Sequence, residues 1–270
     1  MNTLESNNFP IGVEGGKSGN CPTQTLVDAY QMKSTGLNWD ESGSGYNPAK
    51  PYDGRDPRFA LTVAKNGDTS WPNYNVMPLQ TYEGGANGAP ISGATPTGYY
   101  LKKYCDATVN LQPNSTNTKR HSWITYRLGE FYLNYAEAVF HALGSADATN
   151  ATFTMSARDA VNKIRQRSDV TMPNLPAGLS NSDFEKKYMN ERMVELAFEG
   201  HRFWDVRRWK KGELLNKVTL MKLTKNSGTG DIIYTRVVKN RLWDDKMYFS
   251  PIPDQEIRRN GNLTQNQGWN

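Results

Sequence analysis

The sequence has no long hydrophobic run and few residues of the kinds that build metal centres. No stretch approaches the roughly 18 consecutive apolar residues that a membrane-spanning helix needs. The 270 residues include only 3 histidines and 2 cysteines, and no His-x-His, H-E-x-x-H or Cys-x-x-Cys spacing occurs. We therefore expect no metal site of that type and no resident cofactor, although scattered Asp and Asn leave a calcium site open.

The N-terminal stretch lacks the charged and apolar regions of a secretory signal peptide. Cys21 follows G-K-S-G-N and does not have the surroundings of a lipid-attachment cysteine. Cys21 and Cys105 lie far apart in the chain, so the sequence is compatible with one disulfide and equally with two free thiols. We expect either a cytoplasmic protein or a chain that represents part of a longer, exported one.

Blocks of about five or six like charges are also absent. The formal net charge is +5, and cations and anions are interspersed along the chain. The basic stretch H-R-F-W-D-V-R-R-W-K-K, residues 201–211, has its rings at helical spacing and Asp205 among its cations. Such a pattern is more typical of core rings beside salt-bridged arginines than of a nucleic-acid interface. We predict a solvated, mildly basic surface and no nucleic-acid partner.

The composition is polar for a folded domain, yet it is rich in rings. Hydrophobic residues make up 37% of the sequence, and the mean hydropathy is −0.74. Aromatic residues make up 11%, with 7 Trp and 14 Tyr. Because disordered chains are poor in aromatics, we expect a folded chain with a modest core beneath long, ring-bearing loops.

Residues 182–212 predict a long helix followed by a short one. Ser182 and Glu185 have the spacing of a capping box, and Gly200 can end the long helix in a left-handed conformation. Apolar residues between them recur at helical spacing, at Phe184, Tyr188, Met189, Met193, Leu196 and Ala197. A second helix then begins at His201 or Arg202, which completes one helix pair.

Residues 123–143 predict another long helix, and residues 156–167 predict a shorter one after it. The long helix is apolar around most of its circumference. Its pattern favours a buried face formed by Ile124, Leu128, Tyr132, Tyr135 and Val139. Small residues such as Ala136 and Ala160 permit close approach. With residues 182–212, these segments predict two consecutive helix pairs that resemble tetratricopeptide-type stacking.

The remaining chain is rich in loops and carries minor β structure. Residues 22–32 predict a short helix capped by Thr23. Residues 59–64 predict a strand that enters a hairpin turn at Asn66-Gly67, and further strands are predicted at 98–104 and 231–238.

We predict a mainly α fold in one domain, residues 1–270, with a long loop-rich face. Its first part, residues 1–122, is loop-rich and contains a small β hairpin. The two helix pairs occupy residues 123–212, and an irregular closing segment occupies residues 213–270.

Six segments, in order along the chain, carry a family resemblance. The most specific is N-E-R-M-V-E-L-A-F-E-G-H-R-F-W-D-V-R-R-W, residues 190–209. The others are P-T-Q-T-L-V-D-A-Y-Q-M (22–32), R-D-P-R-F (55–59), T-G-Y-Y-L-K-K-Y (97–104), Y-R-L-G-E-F-Y-L-N-Y-A-E-A-V (126–139) and F-S-P-I-P-D-Q-E-I-R-R-N-G-N-L-T-Q-N (249–266). Together they resemble the SusD/RagB family, glycan- and nutrient-binding lipoproteins of Bacteroidetes-type bacteria.

The resemblance implies a helical-repeat scaffold with a loop-rich ligand face and no catalysis. It implies that the protein lies on the extracellular face of the outer membrane and acts as the lid of a SusC-like TonB-dependent transporter. Family members are longer and carry a lipoprotein leader, so we expect this chain to be a C-terminal portion without the lipid anchor. The expected ligand is an extracellular glycan or oligosaccharide, with peptides and glycoproteins as open alternatives.

Several loop residues carry rings that helical or strand periodicity does not explain. They are Trp39, Tyr46, Trp71, Tyr74 and Tyr82, and Asn73 lies beside two of them. A sugar offers an apolar face that stacks on a flat ring and hydroxyls that bond to Asn, Asp or Arg. We predict that these six residues bind glycan with a millimolar to micromolar Kd, about −4 to −8 kcal/mol. For each ring, packing of its loop onto the helices is the alternative.

Glu191, Glu195 and Glu199 form a row with the spacing of helix turns, and paired carboxylates also serve glycoside hydrolysis. Nearby arginines can neutralise the row, namely Arg192, Arg202, Arg207 and Arg208, which favours a structural role and no catalytic residue. Two other functions stay open. A repeat scaffold that binds only protein predicts a loop face without a ring-lined groove, and a secreted glycoside hydrolase predicts reducing ends from polysaccharide.

Overall fold

The computed structural model describes residues 3–115 and 117–269, in which short helices and strands are joined by long loops. The helices are α1 (Thr3–Asn8), α2 (Gln24–Ala29), α3 (Arg58–Thr62), α4 (Leu128–Leu143), α5 (Ala157–Arg165), α6 (Asn181–Glu195), α7 (His201–Arg208) and α8 (Asp254–Arg259). The strands are β1 (Val63–Ala64), β2 (Tyr100–Leu101), β3 (Lys217–Lys225) and β4 (Ile232–Asn240), and single 3-10 turns cover Gly212–Leu215 and Asp245–Tyr248. Helices dominate the regular structure, as the sequence predicts.

One core lies between α4, α5 and α6. Helix α4 contributes Leu133 and Ala136, α5 contributes Ala160, and α6 contributes Phe184 and Tyr188. The small alanine side chains let α4 and α5 pack closely, and burial of each large apolar side chain stabilises the fold by about 1.5–3 kcal/mol. The predicted helix pairs, α4 with α5 and α6 with α7, are confirmed.

The face that α4 buries differs from the predicted one. The helix begins at Leu128 rather than near Trp123, and the side chains of Ile124 and Leu128 are exposed. Val139 is buried as predicted, and Leu133 and Ala136 are buried beside it. A segment that is apolar around most of its circumference does not define its own inner face, so the partner helix α5 selects it.

The start of α6 also differs from the predicted capping box. The Ser180 hydroxyl accepts a hydrogen bond from the Asp183 backbone N–H at 3.1 Å and donates to the Asp183 carboxylate at 2.7 Å. Ser182 and Glu185 therefore lie inside the helix, and the capping-box prediction for them is wrong. The sequence offers two overlapping Ser-x-x-acid pairs, and Asn181 joins the helix in the earlier register.

The connection from α6 to α7 is longer than predicted. Helix α6 ends at Glu195, and Leu196 is its C-terminal cap. Gly200 is left-handed, with φ 81°, but it caps the start of α7 and does not end α6. The second helix begins at His201, as predicted.

The β structure in the first half of the chain is not a local hairpin. Residues 58–62 form α3, so the strand predicted at 59–64 is confined to β1. β1 pairs antiparallel with the distant β2, with Val63 opposite Leu101. Gly67 does adopt a left-handed turn, yet its N–H donates to the Leu79 carbonyl at 2.8 Å and no hairpin follows. The prediction of a small hairpin is therefore wrong.

The closing segment contains a regular hairpin that the sequence pattern shows only in part. β4 was expected as a strand, but its partner β3, also 9 residues long, was not. Lys217 pairs with Asn240 and Lys225 with Ile232 at its two ends. Met221 and Leu223 of β3 are buried against Leu26 of α2, which attaches the hairpin to the core. The description of residues 213–270 as irregular is thus corrected.

Two further features answer questions raised by the sequence. Within residues 3–115 and 117–269, no helix combines the length and apolar character that crossing a bilayer requires. Cys21 and Cys105 are free thiols, each half-buried beside the same apolar cluster around Phe9.

Replacement of the two candidate caps by alanine distinguishes their roles. We expect Ser180→Ala to lower the free energy of unfolding by about 1 kcal/mol, because the N–H of Asp183 loses its acceptor. Ser182→Ala, the matched control, is expected to change it by less than about 0.5 kcal/mol, since Ser182 lies inside the helix, where alanine is favoured. Urea unfolding of both variants measures this, and a larger loss for Ser182→Ala contradicts the assignment.

Candidate ligand-binding site

Two of the predicted rings lie in one loop, residues 33–54, which we call the binding loop. Its ends are closed by an antiparallel bridge between Met32 and Arg55. The Lys33 N–H donates to the Gly54 carbonyl at 2.7 Å, directly beside that bridge. A long loop whose ends are fixed by hydrogen bonds loses less conformational entropy on binding a ligand than a loop with free ends.

Hydrogen bonds inside the binding loop fix its shape. The Ser44 hydroxyl donates to the Trp39 carbonyl at 3.1 Å, and the Tyr46 N–H donates to the Ser44 hydroxyl at 3.3 Å. Gly43 and Gly45 both have φ of 78°, and nothing lies within 4 Å of the position that a Cβ would take at either residue. Glycine is therefore required there by backbone conformation and not by lack of space.

Trp39 and Tyr46 form a pair of half-exposed rings. Their centroids are 5.4 Å apart and their planes meet at 68°, so the pair makes a corner. The guanidinium of Arg236, from β4, lies 3.7 Å from the centroid of the Trp39 ring. This contact anchors the indole to the hairpin through a cation–π interaction.

A chain of hydrogen bonds holds Arg236 in place. Its Nη1 and Nη2 donate to the two oxygens of Asp28 at 2.7 and 2.6 Å. Gln24 donates to the same carboxylate at 2.6 Å and accepts from the hydroxyl of Tyr99. Because Asp28 and Gln24 lie on α2, a rigid helix positions the guanidinium that contacts Trp39.

Arg55, at the end of the binding loop, is a buried cation with few partners. Its side chain lies 5.7 Å from the centroid of the Tyr46 ring, and the residue is only 6% exposed. Nη2 donates to the Val27 carbonyl, but Nε and Nη1 have no hydrogen-bond partner among the described residues. Burial lowers the pKa of the guanidinium below its usual value.

The other four predicted ligand residues belong to different parts of the molecule. Trp71 is 6% exposed, and its ring packs edge-on against Phe9 with centroids 5.4 Å apart. Tyr74 is half-buried in the same cluster and donates to the Glu14 carbonyl at 2.9 Å, while Asn73 beside it is exposed.

Tyr82 is the last of these four residues. Tyr82 packs beside the core cluster that contains Leu26, Met221 and Leu223. Its hydroxyl donates to the Gln80 side chain at 3.2 Å. The ammonium of Lys225 lies 5.5 Å from its ring centroid. The six predicted residues therefore form separate groups, and only Trp39 and Tyr46 share a loop with a partly open ring surface.

Three polar residues beside the ring pair were not predicted as site residues, namely Asp28, Arg55 and Arg236. Arg55 lies in the R-D-P-R-F segment, which carries a family resemblance but no chemical signal for a site. Arg236 lies in a strand whose alternation does not separate it from an ordinary surface arginine. Asp28 follows two buried residues on α2 and has no local signal of its own. Their proximity is a product of tertiary structure.

The row Glu191, Glu195 and Glu199 is an ionic framework and not a pair of free carboxylates. Arg58 donates to Glu191 at 2.6 Å and to Glu195 at 2.8 Å. The other cations that contact the row are Arg165 on Glu191, Arg127 and Arg167 on Glu195, and Arg127 and Lys103 on Glu199. The predicted structural role is supported, but the predicted partners were wrong, since they come from distant segments.

Two of the four predicted arginine partners, Arg192 and Arg208, neutralise other carboxylates. Arg192 donates to Asp205 at 2.7 Å, and Arg208 contacts both Glu137 and Asp205. Sequence proximity misled the prediction, because Arg192 lies on the same helix as the row but points toward α7.

Electrostatics keep the carboxylates of the row ionised. Burial alone raises the pKa of Glu195, but Arg58 and Arg127 outweigh burial and lower it to about 2. Burial also acts against the charge on Glu191, where Arg58 and Arg165 reverse the effect and lower the pKa. A carboxylate with such a low pKa holds no proton to donate near neutral pH, so the row is poorly suited to general acid catalysis.

The part of the chain that the structure describes contains no group of three or more His, Cys, Asp or Glu residues arranged to hold a metal ion.

Comparison with known proteins identifies relatives along almost the whole chain. The model of the SusD family matches residues 3–269. SusD-like protein P2 of Formosa agariphila is 24% identical over 258 residues, which cover 88% of this chain and 44% of that protein. The match therefore covers most of this chain but less than half of the relative.

Solved structures also match most of this chain with about half of their own length. A SusD-like protein from Bacteroides fragilis is 28% identical, with a TM-score of 0.74, over 94% of this chain and 48% of that one. A SusD-like carbohydrate-binding protein from the same species is 22% identical, with a TM-score of 0.72, over 97% of this chain and 51% of that one. The second likeness concerns the fold alone. The chain spans about half the length of these relatives.

The ionic framework predicts a specific dependence of stability on pH. Because the folded-state pKa of Glu195 is about 2 and its unfolded value is near 4.5, its contribution is complete above pH 5 and is lost as the pH falls toward 2. We expect wild type to exceed Glu195→Gln by roughly 3 kcal/mol at pH 7, with the two curves converging near pH 2.

Urea unfolding at several pH values between 7 and about 2.5 measures this difference. Glu256→Gln, an exposed carboxylate of α8, serves as the control and is expected to give a curve parallel to that of wild type. Parallel curves for wild type and Glu195→Gln would contradict a stabilising, ionised Glu195.

Proposed function

This chain belongs to the SusD family, and we propose that it binds an extracellular glycan, without cleaving it, at the Trp39–Tyr46 ring pair. The observation that carries the proposal is the corner of two half-exposed rings in a loop with fixed ends. Rigid aromatic surfaces bind with little loss of conformational entropy, which suits capture of a flexible oligosaccharide.

The chemistry of a sugar matches the surroundings of the ring pair. The apolar face of a pyranose can stack on the Trp39 or Tyr46 ring, where it loses contact with water. Its hydroxyls then meet polar groups around the ring pair, among them the Arg236 guanidinium, which lies over the Trp39 ring. An apolar platform with a few convergent polar groups is the usual composition of a small-molecule site.

The four other predicted ligand residues have different roles in this proposal. Asn73, Tyr74 and Tyr82 stay predicted contacts for a longer glycan chain. Trp71 has its ring packed in a core cluster, so we assign it to loop packing. The proposal therefore rests on two rings and not on an arc of six.

Binding without cleavage is supported by the state of the carboxylates. Glu191 and Glu195, on α6, are paired with cations at both of their oxygens. A structure that shares this fold is described as a carbohydrate-binding protein. Hydrolysis therefore has no candidate acid in the row.

We further propose that the whole protein delivers its glycan to a SusC-like TonB-dependent transporter at the outer-membrane surface. The support is family membership.

A protein-binding role is the second candidate, and an exposed apolar surface favours it. Five neighbouring residues expose more than half of their area, namely Trp123, Ile124, Tyr126, Leu128 and Phe131. Apolar clusters of this kind mark contact with other polypeptide. Replacing Trp123 by Ala tests this role, because it should weaken capture of the co-expressed transporter and leave glycan binding intact.

Removal of one ring tests glycan binding directly. We expect Trp39→Ala to weaken binding to any recognised glycan by about thirtyfold, near 2 kcal/mol, because the stacking platform is lost. A glycan array identifies ligands and calorimetry gives the Kd. The matched control is Trp123→Ala, whose ring is 93% exposed and distant in sequence.

A Trp39→Ala,Tyr46→Ala double variant extends this test. We expect it to remain folded, since both rings are half-exposed, and to lose measurable glycan binding. If every recognised glycan binds the double variant as tightly as wild type, the ring pair is not the site.

A further inference from the structure

The charges beside the ring pair do not balance. Arg55 and Arg236 supply two cations, and Asp28 is the carboxylate that faces them. Both Asp28 oxygens accept from Arg236, and one also accepts from Gln24. Asp28 is thus hydrogen-bonded to Arg236 and acts on Arg55 only through space, so one carboxylate serves two cations.

Burial of the Arg55 charge without an ion pair costs free energy, so its presence needs an explanation. Arg55 is 6% exposed, makes a hydrogen bond to one backbone carbonyl, and leaves Nε and Nη1 without partners among the described residues. A buried charge without a partner costs several kcal/mol, and buried unsatisfied donors are rare enough to need an explanation. Its field is weakly screened by the surrounding protein and reaches the surface of the Tyr46 ring.

Arg236 is accessible enough to contact a ligand directly, whereas the buried Arg55 acts on a ligand only through its electric field. A guanidinium has five N–H donors. Nη1 and Nη2 of Arg236 donate to Asp28, and the Tyr46 side chain also interacts with this guanidinium. The Arg236 side chain is 28% exposed and covers one face of the Trp39 ring. In the proposed complex the sugar uses the open surface of the ring pair, and an acidic substituent at its edge reaches the N–H groups that Asp28 does not occupy, whose fork matches an oxyanion.

The loop's own carboxylates do not cancel this field. Glu41 accepts from the Asn38 N–H at 2.9 Å and from its side-chain amide at 3.1 Å, which uses both oxygens. Asp40 and Asp53 are exposed, and a solvated charge is screened by water and salt.

We propose that this site selects acidic glycans, whose uronate carboxylates or sulfate esters interact with Arg236 directly and with the field of Arg55. The inference rests on the proposed glycan-binding function and adds the class of sugar. Neutral glycans of the same backbone bind more weakly, because they stack on the rings but form no charge–charge interaction with Arg236 and Arg55.

Matched pairs of glycans that differ only in charge test the proposal. One pair is oligogalacturonate and its fully methyl-esterified form, and another is a sulfated galactan oligosaccharide and its desulfated form. Calorimetry on the 270-residue chain, at low and at raised salt, is expected to show at least one acidic member bound about tenfold to a hundredfold more tightly than its neutral partner. The two pairs also distinguish carboxylate from sulfate.

Two arginine variants connect that preference to the site. Arg236→Gln is expected to remove most of the acidic advantage, while Arg236→Lys retains part of it through charge alone. Arg241→Gln removes the same charge from an exposed residue just beyond β4 and should change nothing. Trp39→Ala should weaken binding of the acidic and the neutral member alike.

The Arg55→Met variant distinguishes a role in binding from a purely structural role, because stability and affinity are expected to respond differently. Replacement of an unpaired buried charge by an apolar side chain is expected to leave the free energy of unfolding unchanged or higher. The same variant should lose severalfold affinity for the acidic glycan and show a weaker salt dependence.

The possible failures are distinguishable. Equal or tighter binding of the neutral members, abolished by Trp39→Ala, overturns acidic selectivity and leaves glycan binding in place. Acidic binding that survives Trp39→Ala, or that Arg236→Gln does not weaken, also overturns the assignment. If no member of any pair binds, both the selectivity and the proposed function fail.

Discussion

The fold depends on the burial of Arg58 among three carboxylates, Asp56, Glu191 and Glu195, at distances of 2.6–2.8 Å. Removal of one partner from such a group leaves an uncompensated charge in the interior, which is far more costly than loss of a surface ion pair. The contact joins a segment near residue 56 to a helix near residue 191. It therefore fixes the loop-rich half of the chain on the helical half.

The same constraint determines where the binding loop begins and ends. Arg55 closes the loop through its bridge to Met32, and it lies next to Asp56 and three residues from Arg58. On the other side of the bridge, Gln31 accepts from Arg165, which also contacts Glu191. The molecule thus combines a rigid ionic interior with a half-exposed ring pair, and the free energy of folding holds the platform in place before any ligand arrives.

Local signals in the sequence were sufficient for α2 and for α4 to α7, but not for α3 and not for the surroundings of the helices. The cap of α2 at Thr23 is where the pattern indicates, because a cap involves residues three apart, and α5 begins at Ala157, next to its predicted start. The inner face of α4, the pairing of β1 with β2, and the partners of the Glu191 row involve residues distant in sequence, for which periodicity holds no information. For the same reason the pattern identified the unexplained rings of Trp39 and Tyr46 but not the cations that surround them.

The central claim is that glycan binds on the Trp39–Tyr46 corner, and the indole N–H signals of the 7 tryptophans test it most directly. In a ¹⁵N-labelled chain, with the Trp39 signal assigned from a Trp39→Phe variant, a recognised glycan is titrated to saturation. The account predicts a progressive shift of the Trp39 signal, while Trp123 and Trp204, exposed at other positions, stay unchanged. An unmoved Trp39 signal at saturation, with shifts at Trp123 or Trp204, would contradict it.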